Sequence, residues 1–187
     1  MKAEKEGKMV KKISLFCVAV ALCVFLAQPV FAASSDTVTI SVTVSSTLGV
    51  DITESTLSLG SVGVGTTTTS PTGVTITNTG SGANETYELS LTNPTGWTAS
   101  QTAAGVDTYM LCAAFDTVGT SISWSAANDA LSTTPVACSA TKFAGNATGL
   151  SVPYNIARKL WFQFKAPTQS SITTLQAITL TVTAVAG

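Results

Sequence analysis

Along most of this chain a β-branched or aromatic residue alternates with Thr, Ser or Glu, and a chain with that period of two has few folds open to it. Val38, Ile40, Val42 and Val44 alternate with Thr37, Thr39, Ser41 and Thr43, and Val74 and Ile76 with Thr75 and Thr77. Tyr87, Leu89 and Leu91 alternate with Glu88, Ser90 and Thr92. Leu160, Phe162 and Phe164 do so with Trp161, Gln163 and Lys165, and Ile178, Leu180 and Val182 with Thr179, Thr181 and Thr183. Successive side chains of a strand point to opposite faces, so each run lays an apolar row on a core and a polar row in water. Stiff β-branched side chains pack well on such a pleated surface, which accounts for the Thr/Val bias.

Between these runs the chain supplies turns rather than helices. Leu48, Val50 and Ile52 extend the first pattern past a Ser-Ser-Thr break, and Leu57 and Leu59 follow. Gly60, Gly63 and Gly65, four threonines and Pro71 then form a loop. It lacks the lysine and following helix of a phosphate-cradling loop, so it reads as a turn. Two further strands are joined around Asn78–Asn84, and Tyr87 and Trp97 are the large side chains expected to fill the core. Tyr109–Phe115 is apolar on both faces and reads as a strand buried on two sides; Ile122 and Trp124 suggest another. Residues 125–149 have no period and read as a long excursion, and Pro167 ends the strand before it because proline cannot donate to a ladder. Eight or nine short strands without an amphipathic helix predict an all-β fold, a two-sheet antiparallel sandwich, with a closed barrel as the alternative.

The first 32 residues follow a different grammar. Lys11 and Lys12 precede an apolar run from Ile13 to Ala27, and Val30-Phe31-Ala32 presents small residues where a signal peptidase reads. Residues 1–32 are therefore expected to be a cleaved signal peptide, and residues 33–187 a single domain long enough to bury a substantial core. A membrane anchor is the competing reading, but the run falls short of the ~20 residues a spanning helix needs, and Gln28-Pro29 interrupts it. Translation from Met9 would make the leader more compact than translation from Met1. Leu22 before Cys23 is too large for a lipoprotein cleavage site. The expected location is secreted or on the cell surface, with no stable membrane span after processing.

Charge and residue absences narrow the function. Charged residues make up only 10%, and from Ala33 onward four basic residues stand against eight acidic ones, a net of −4. Such a surface cannot neutralise a row of phosphates, so nucleic acid is not an expected partner. The chain has no histidine, which removes Ser-His-Asp and Cys-His catalysis and most zinc and non-haem iron sites. A pair of carboxylates could still hydrolyse a glycoside, and Asp36, Asp51, Glu54, Glu85, Glu88, Asp107, Asp116 and Asp129 are the available acids. Glu85 and Glu88 read as solvated charge. Asp107, Asp116 and Asp129 bracket the cysteine region without the Asp-x-Asp spacing of a calcium loop. No metal or cofactor is expected.

Two cysteines survive the expected cleavage, Cys112 and Cys138. An even pair in an exported chain is expected to form a disulfide, closing a loop of roughly 26 residues and contributing ~3 kcal/mol in the chain-entropy view. Trp161, opposite the Leu160/Phe162 row, is the residue that could face a ligand such as a sugar; Trp97 and Trp124 adjoin loops, and core packing is the plainer reading of each. Asn84-Glu-Thr86 and Asn146-Ala-Thr148 match the glycosylation triplet, which arises by chance in a Thr-rich chain.

The run from Leu57 to Asn93, with LSLGSV, VTITNTGS and YELSLTN, resembles bacterial extracellular immunoglobulin-like accessory domains of the adhesion and cell-surface type. More faintly, the opening Thr/Val strand and the closing ITLTVTA are similar to secreted pilin and spore-coat-like subunits, although no cysteine lies near the mature N-terminus. The resemblance implies an immunoglobulin-like sandwich with a non-enzymatic structural or adhesive role. A carbohydrate- or ligand-binding module is the alternative, and a hydrolase the third. The expected partners are further copies of the chain or other envelope proteins, met through uncharged edge strands, and surface glycans.

Overall fold

The computed structural model describes residues 37–43 and 45–187. The expected leader, the cleavage point before Ala33 and both start sites lie outside the described residues. Residues 37–43 form no strand, although their alternation is as regular as any in the chain; Val38, Ile40 and Val42 are 83%, 84% and 83% exposed. Alternation makes a segment fit to pair but does not supply the neighbour, and a strand exists only by pairing. The chain divides into one unit ending at Thr43 and a second from Val44 to Gly187, and the architecture that follows is that of the second.

In chain order that unit runs β1 (Val50–Ile52), β2 (Thr67–Thr69), β3 (Val74–Asn78), β4 (Glu85–Thr92), β5 (Thr98–Ala99), β6 (Thr108–Phe115), a one-turn helix α1 (Ala126–Asp129), β7 (Val136–Ala137), β8 (Ala157–Lys165) and β9 (Thr179–Ala186). Its organising strand is β8. On one side β6 pairs with it antiparallel from Met110 opposite Lys165 to Phe115 opposite Leu160. The other side is shared, with β3 pairing near residues 157–160 and β2 near residues 163–165. Pro71 prevents one continuous strand from doing both jobs. Ser70 fills the gap: its N–H donates to the Phe162 carbonyl at 2.8 Å, and its hydroxyl accepts the Phe162 N–H at 3.1 Å. β1 extends the sheet beyond β3, and β5 lies parallel to the start of β6.

The second sheet has the order β7-β4-β9, with β4 and β9 paired along their whole length from Glu85 opposite Ala186 to Thr92 opposite Thr179. The apolar rows read from the sequence meet between the sheets. Tyr87, Leu89, Leu91 and Val182 face Val74, Ile76, Leu111, Ala113, Phe115, Leu160, Phe162 and Phe164 in one buried cluster. The fold is thus all-β with two sheets over a shared core, as the period of two predicts. Truncating a ring at the centre of such a core, as in Phe162→Ala, typically costs about 3–5 kcal/mol.

Three local expectations change. The strands around Asn78–Asn84 belong to different sheets, so that connection crosses the core's rim rather than closing a hairpin. Asn78, fully buried, holds the crossing: its amide donates to Ala83 and Val152 carbonyls, both at 2.9 Å, and its oxygen accepts the Gly80 N–H at 2.9 Å. Ile122 and Trp124 form no strand, because the chain turns at once into α1. Residues 125–149 are no loose excursion: Leu131, Cys138 and Phe143 are buried and close one flank of the core.

Candidate functional site

Trp161 stands on the outer face of the first sheet, between the core residues Leu160 and Phe162, as its place in the alternation requires. That face is not open. The backbone of Gly119 and Gly73 lies so close to the indole that a Cβ at either would strike the ring, and the ring N–H donates to the Asp116 carbonyl at 3.0 Å. The loop after β6 uses the indole as its seat. Trp97 is likewise committed, stacked on Phe164 at 6.2 Å and 22° with its N–H on the Ser170 hydroxyl at 2.9 Å.

The acidic side chains are spent mostly on the backbone. Asp116, 1% exposed, accepts N–H groups from Val118 and Gly119 at 2.9 Å and from Asn146 at 3.1 Å. Burial pushes its pKa up, but these three donors outweigh it and hold the carboxyl below the ordinary range. Asp107 accepts the Ser171 N–H and hydroxyl at 2.8 and 2.9 Å, and the first of these chiefly lowers its pKa. Asp129, buried, accepts the Ser125 N–H at 2.7 Å; loss of water raises its pKa despite that bond and Lys142. Among the described residues no group of three or more acidic or cysteine side chains could hold a metal ion.

Glu85 departs from the expectation of a solvated charge. It is fully buried where the crossing meets β4, and one carboxylate oxygen accepts the Gly49 N–H at 2.7 Å while the other has no partner. The Tyr87 hydroxyl and the Arg158 Nε are also unpartnered nearby, and burial together with the Glu85 charge pushes the phenol up to about 12. Glu88 keeps its place on the partly exposed face of β4. Both glycosylation triplets are built into the fold: Asn84 donates to the Ser151 hydroxyl at 3.1 Å, and Asn146 to the Thr117 hydroxyl at 2.9 Å.

The expected Cys112–Cys138 disulfide is absent; both are buried free thiols. The alternation of β6 explains it. Leu111 and Ala113 face the core, so Cys112 between them faces the opposite side of the sheet, within reach of the Asp129 charge of α1. Cys138, just after β7 on the other sheet, belongs to the core cluster itself. Burial raises both thiols, Cys112 to about 11 with Asp129 adding to the effect, Cys138 to about 12 with Glu88 adding. Thiols so reluctant to ionise are packing groups rather than nucleophiles.

Two surface features remain. A shallow groove of about 700 Å³ runs between Asn93, Thr98, Ser100, Gln101, Thr108 and the Ser132–Thr134 turn, lined by hydroxyls and amides. The second is the outer edge of β9, whose only ladder partner among the described residues is β4. On β4, Glu85, Tyr87 and Leu91 turn their main-chain groups away from β9, to Val152, Gly149 and Ser132 at 2.9 Å each. Antiparallel pairing then makes Thr86, Glu88, Ser90 and Thr92 the residues bonded to Val185, Thr183, Thr181 and Thr179. The N–H and C=O groups of Leu180, Val182 and Ala184 therefore point outward along an edge with no charge, proline or bulge. Comparison of the chain with known protein families, characterised proteins and solved structures finds no match.

Proposed function

We propose that this protein is a secreted or cell-surface structural subunit, non-catalytic, built on an immunoglobulin-like sandwich and able to associate through a sheet edge. The observation that carries the reading is β9. Native edge strands are normally protected against further pairing by lysine, proline or a bulge, and this eight-residue edge has none of them. The non-catalytic reading draws on the acids Asp107, Asp116 and Asp129, which bond backbone N–H groups, and on a chain with no histidine. Export rests on the leader pattern of residues 1–32, and the intact mass of the exported protein tests it, with a product starting at Ala33 expected. Size-exclusion chromatography and negative-stain imaging of that product test association: concentration-dependent oligomers support the reading, and a monomer at every concentration sinks it.

The hydroxyl-lined groove beside Asn93 favours a second reading, a module for a polar ligand such as a surface glycan. Glycan-array binding that disappears on Gln101→Ala would support it. Trp161 would not enter such a site, because its ring is held beneath Gly119.

A further inference from the structure

Three buried polar atoms at one end of the sandwich have no hydrogen-bond partner: the Oε2 of Glu85, the hydroxyl of Tyr87 and the Nε of Arg158. Their strands bring them into the same interlayer space. Glu85 and Tyr87 are two residues apart on β4, so both turn to the inner face that Leu89 and Leu91 continue. Across the core, Arg158 of β8 pairs with Ile76 of β3, and residues paired across two strands share a face. Ile76 is a core residue, so Arg158 also starts inward, two residues before Leu160 of the same row. Tyr87 registers both neighbours. Burial chiefly raises its phenol to about 12, the Glu85 charge adds to the rise and the Arg158 charge works against it.

The three atoms are complementary, yet none of them bonds another. A carboxylate oxygen only accepts, the Arg158 Nε–H only donates, and the hydroxyl does either. Glu85 cannot swing freely to close the gap. Its other oxygen is held by the Gly49 N–H at 2.7 Å, and the carboxylate lies so close to Gly80 that a Cβ there would strike it. Buried polar atoms separated in this way are ordinarily joined by an ordered water.

We propose that this end of the sandwich is a binding site for one internal water molecule, held between Glu85 Oε2, the Tyr87 hydroxyl and Arg158 Nε. The site is independent of how the protein associates and of any ligand in the groove beside Asn93. The water accepts from the Arg158 Nε–H and the Tyr87 hydroxyl and donates to the Glu85 carboxylate, three bonds in all, the usual number for a buried water. The two charges select a neutral occupant, since Glu85 opposes an anion and Arg158 a cation. The mixed demand for donor and acceptor rejects an apolar one. Glu85 thereby becomes a bridge between the layers. One oxygen fastens the chain entering β1 through Gly49, and the other reaches β8 through the water and Arg158.

The test is a crystal structure of the exported chain in which ordered waters are resolved. One water is expected within about 2.7–3.2 Å of all three atoms. In solution the Arg158 Nε–H signal, assigned by its disappearance in Arg158→Lys, should show a cross-peak to water with the sign of a long-lived bound molecule. Tyr87→Phe keeps the ring in the core and removes one partner, so the water should remain on Glu85 and Arg158 while the cross-peak weakens. A variant that fails to fold leaves the parent crystal and the parent cross-peak as the deciding measurements. A direct bond between Glu85 and Arg158, a dry space between them, a metal ion or other solute in that space, or a water touching only one of the three atoms overturns the site. So does an Arg158 Nε–H signal without a cross-peak to water.

Discussion

Asp116 shows how much a single side chain does here without chemistry. Asp116→Ala leaves the N–H groups of Val118, Gly119 and Asn146 without their acceptor, and chemical denaturation should register a loss of about 3 kcal/mol. The sign of the pH effect follows from its lowered pKa. Between the folded value and the ordinary one the unfolded chain binds more protons, so this contribution is present above about pH 4 and fades as pH falls through the folded value. Asp129, raised by burial, opposes it: its protonated form is favoured in the fold, so stability falls as pH rises past the ordinary carboxylate value. In Asp116→Asn the acid-limb slope of stability should therefore flatten, and an unchanged slope would show that Asp116 does not titrate as described. The thiols give a second check. Native protein at pH 8 should react with a thiol reagent at neither Cys112 nor Cys138, and unreduced protein in denaturant should react at both, because both are free and buried. A chain in which neither reacts after denaturation would contain the bridge that the geometry of β6 argues against.

The elements carry the bonding pattern that any assembly must respect, and β9 allows it to be read by proline. Thr183 is the partner of Glu88 and turns its N–H inward, so Thr183→Pro should cost about 3 kcal/mol or more. Ala184 turns its N–H outward, and Ala184→Pro should cost far less in melting temperature. Equal losses at the two positions would mean that the register of β9 is not the one described. For the loop seated on Trp161 of β8 the corresponding test is Gly119→Ala, which combines a positive φ of 73° with a Cβ driven into the Trp161 ring. Its expected cost of about 2 kcal/mol, from strain and overpacking together, should appear with a changed tryptophan emission.

At the scale of the whole molecule, every buried apolar core residue among the described residues lies between Val74 and Val182, and the described segments packed against that core begin at Val50. A chain starting at Val44 should therefore melt within about 2 °C of one starting at Thr37 when both are monomeric, the change expected for loss of an exposed segment. Because β9 carries no charge, association through its edge should hardly change between low and physiological salt, unlike an interface built on ion pairs. A strong salt dependence would point to another surface.

Legibility from sequence divided along the range of the interactions. The period of two identified β3, β4, β8 and β9, an apolar run without that period identified β6, and the alternation placed Trp161 outside the core, because strand geometry alone sets the face of each residue. Period carries no information about partners. It could not say that β3 and β4 enter different sheets, that residues 37–43 form no strand, or that Cys112 faces away from the core cluster that Cys138 joins. Nor could composition reveal that Glu85 is buried while Glu88, three residues on, is not, since that depends on the crossing held by Asn78. The sequence alone thus determined an all-β chain with its apolar rows assigned, through a repulsion between apolar surface and water that acts on each residue locally. Only the tertiary structure decided which edges close, which thiols meet and which strand is left open, because those depend on contacts between residues far apart in the chain.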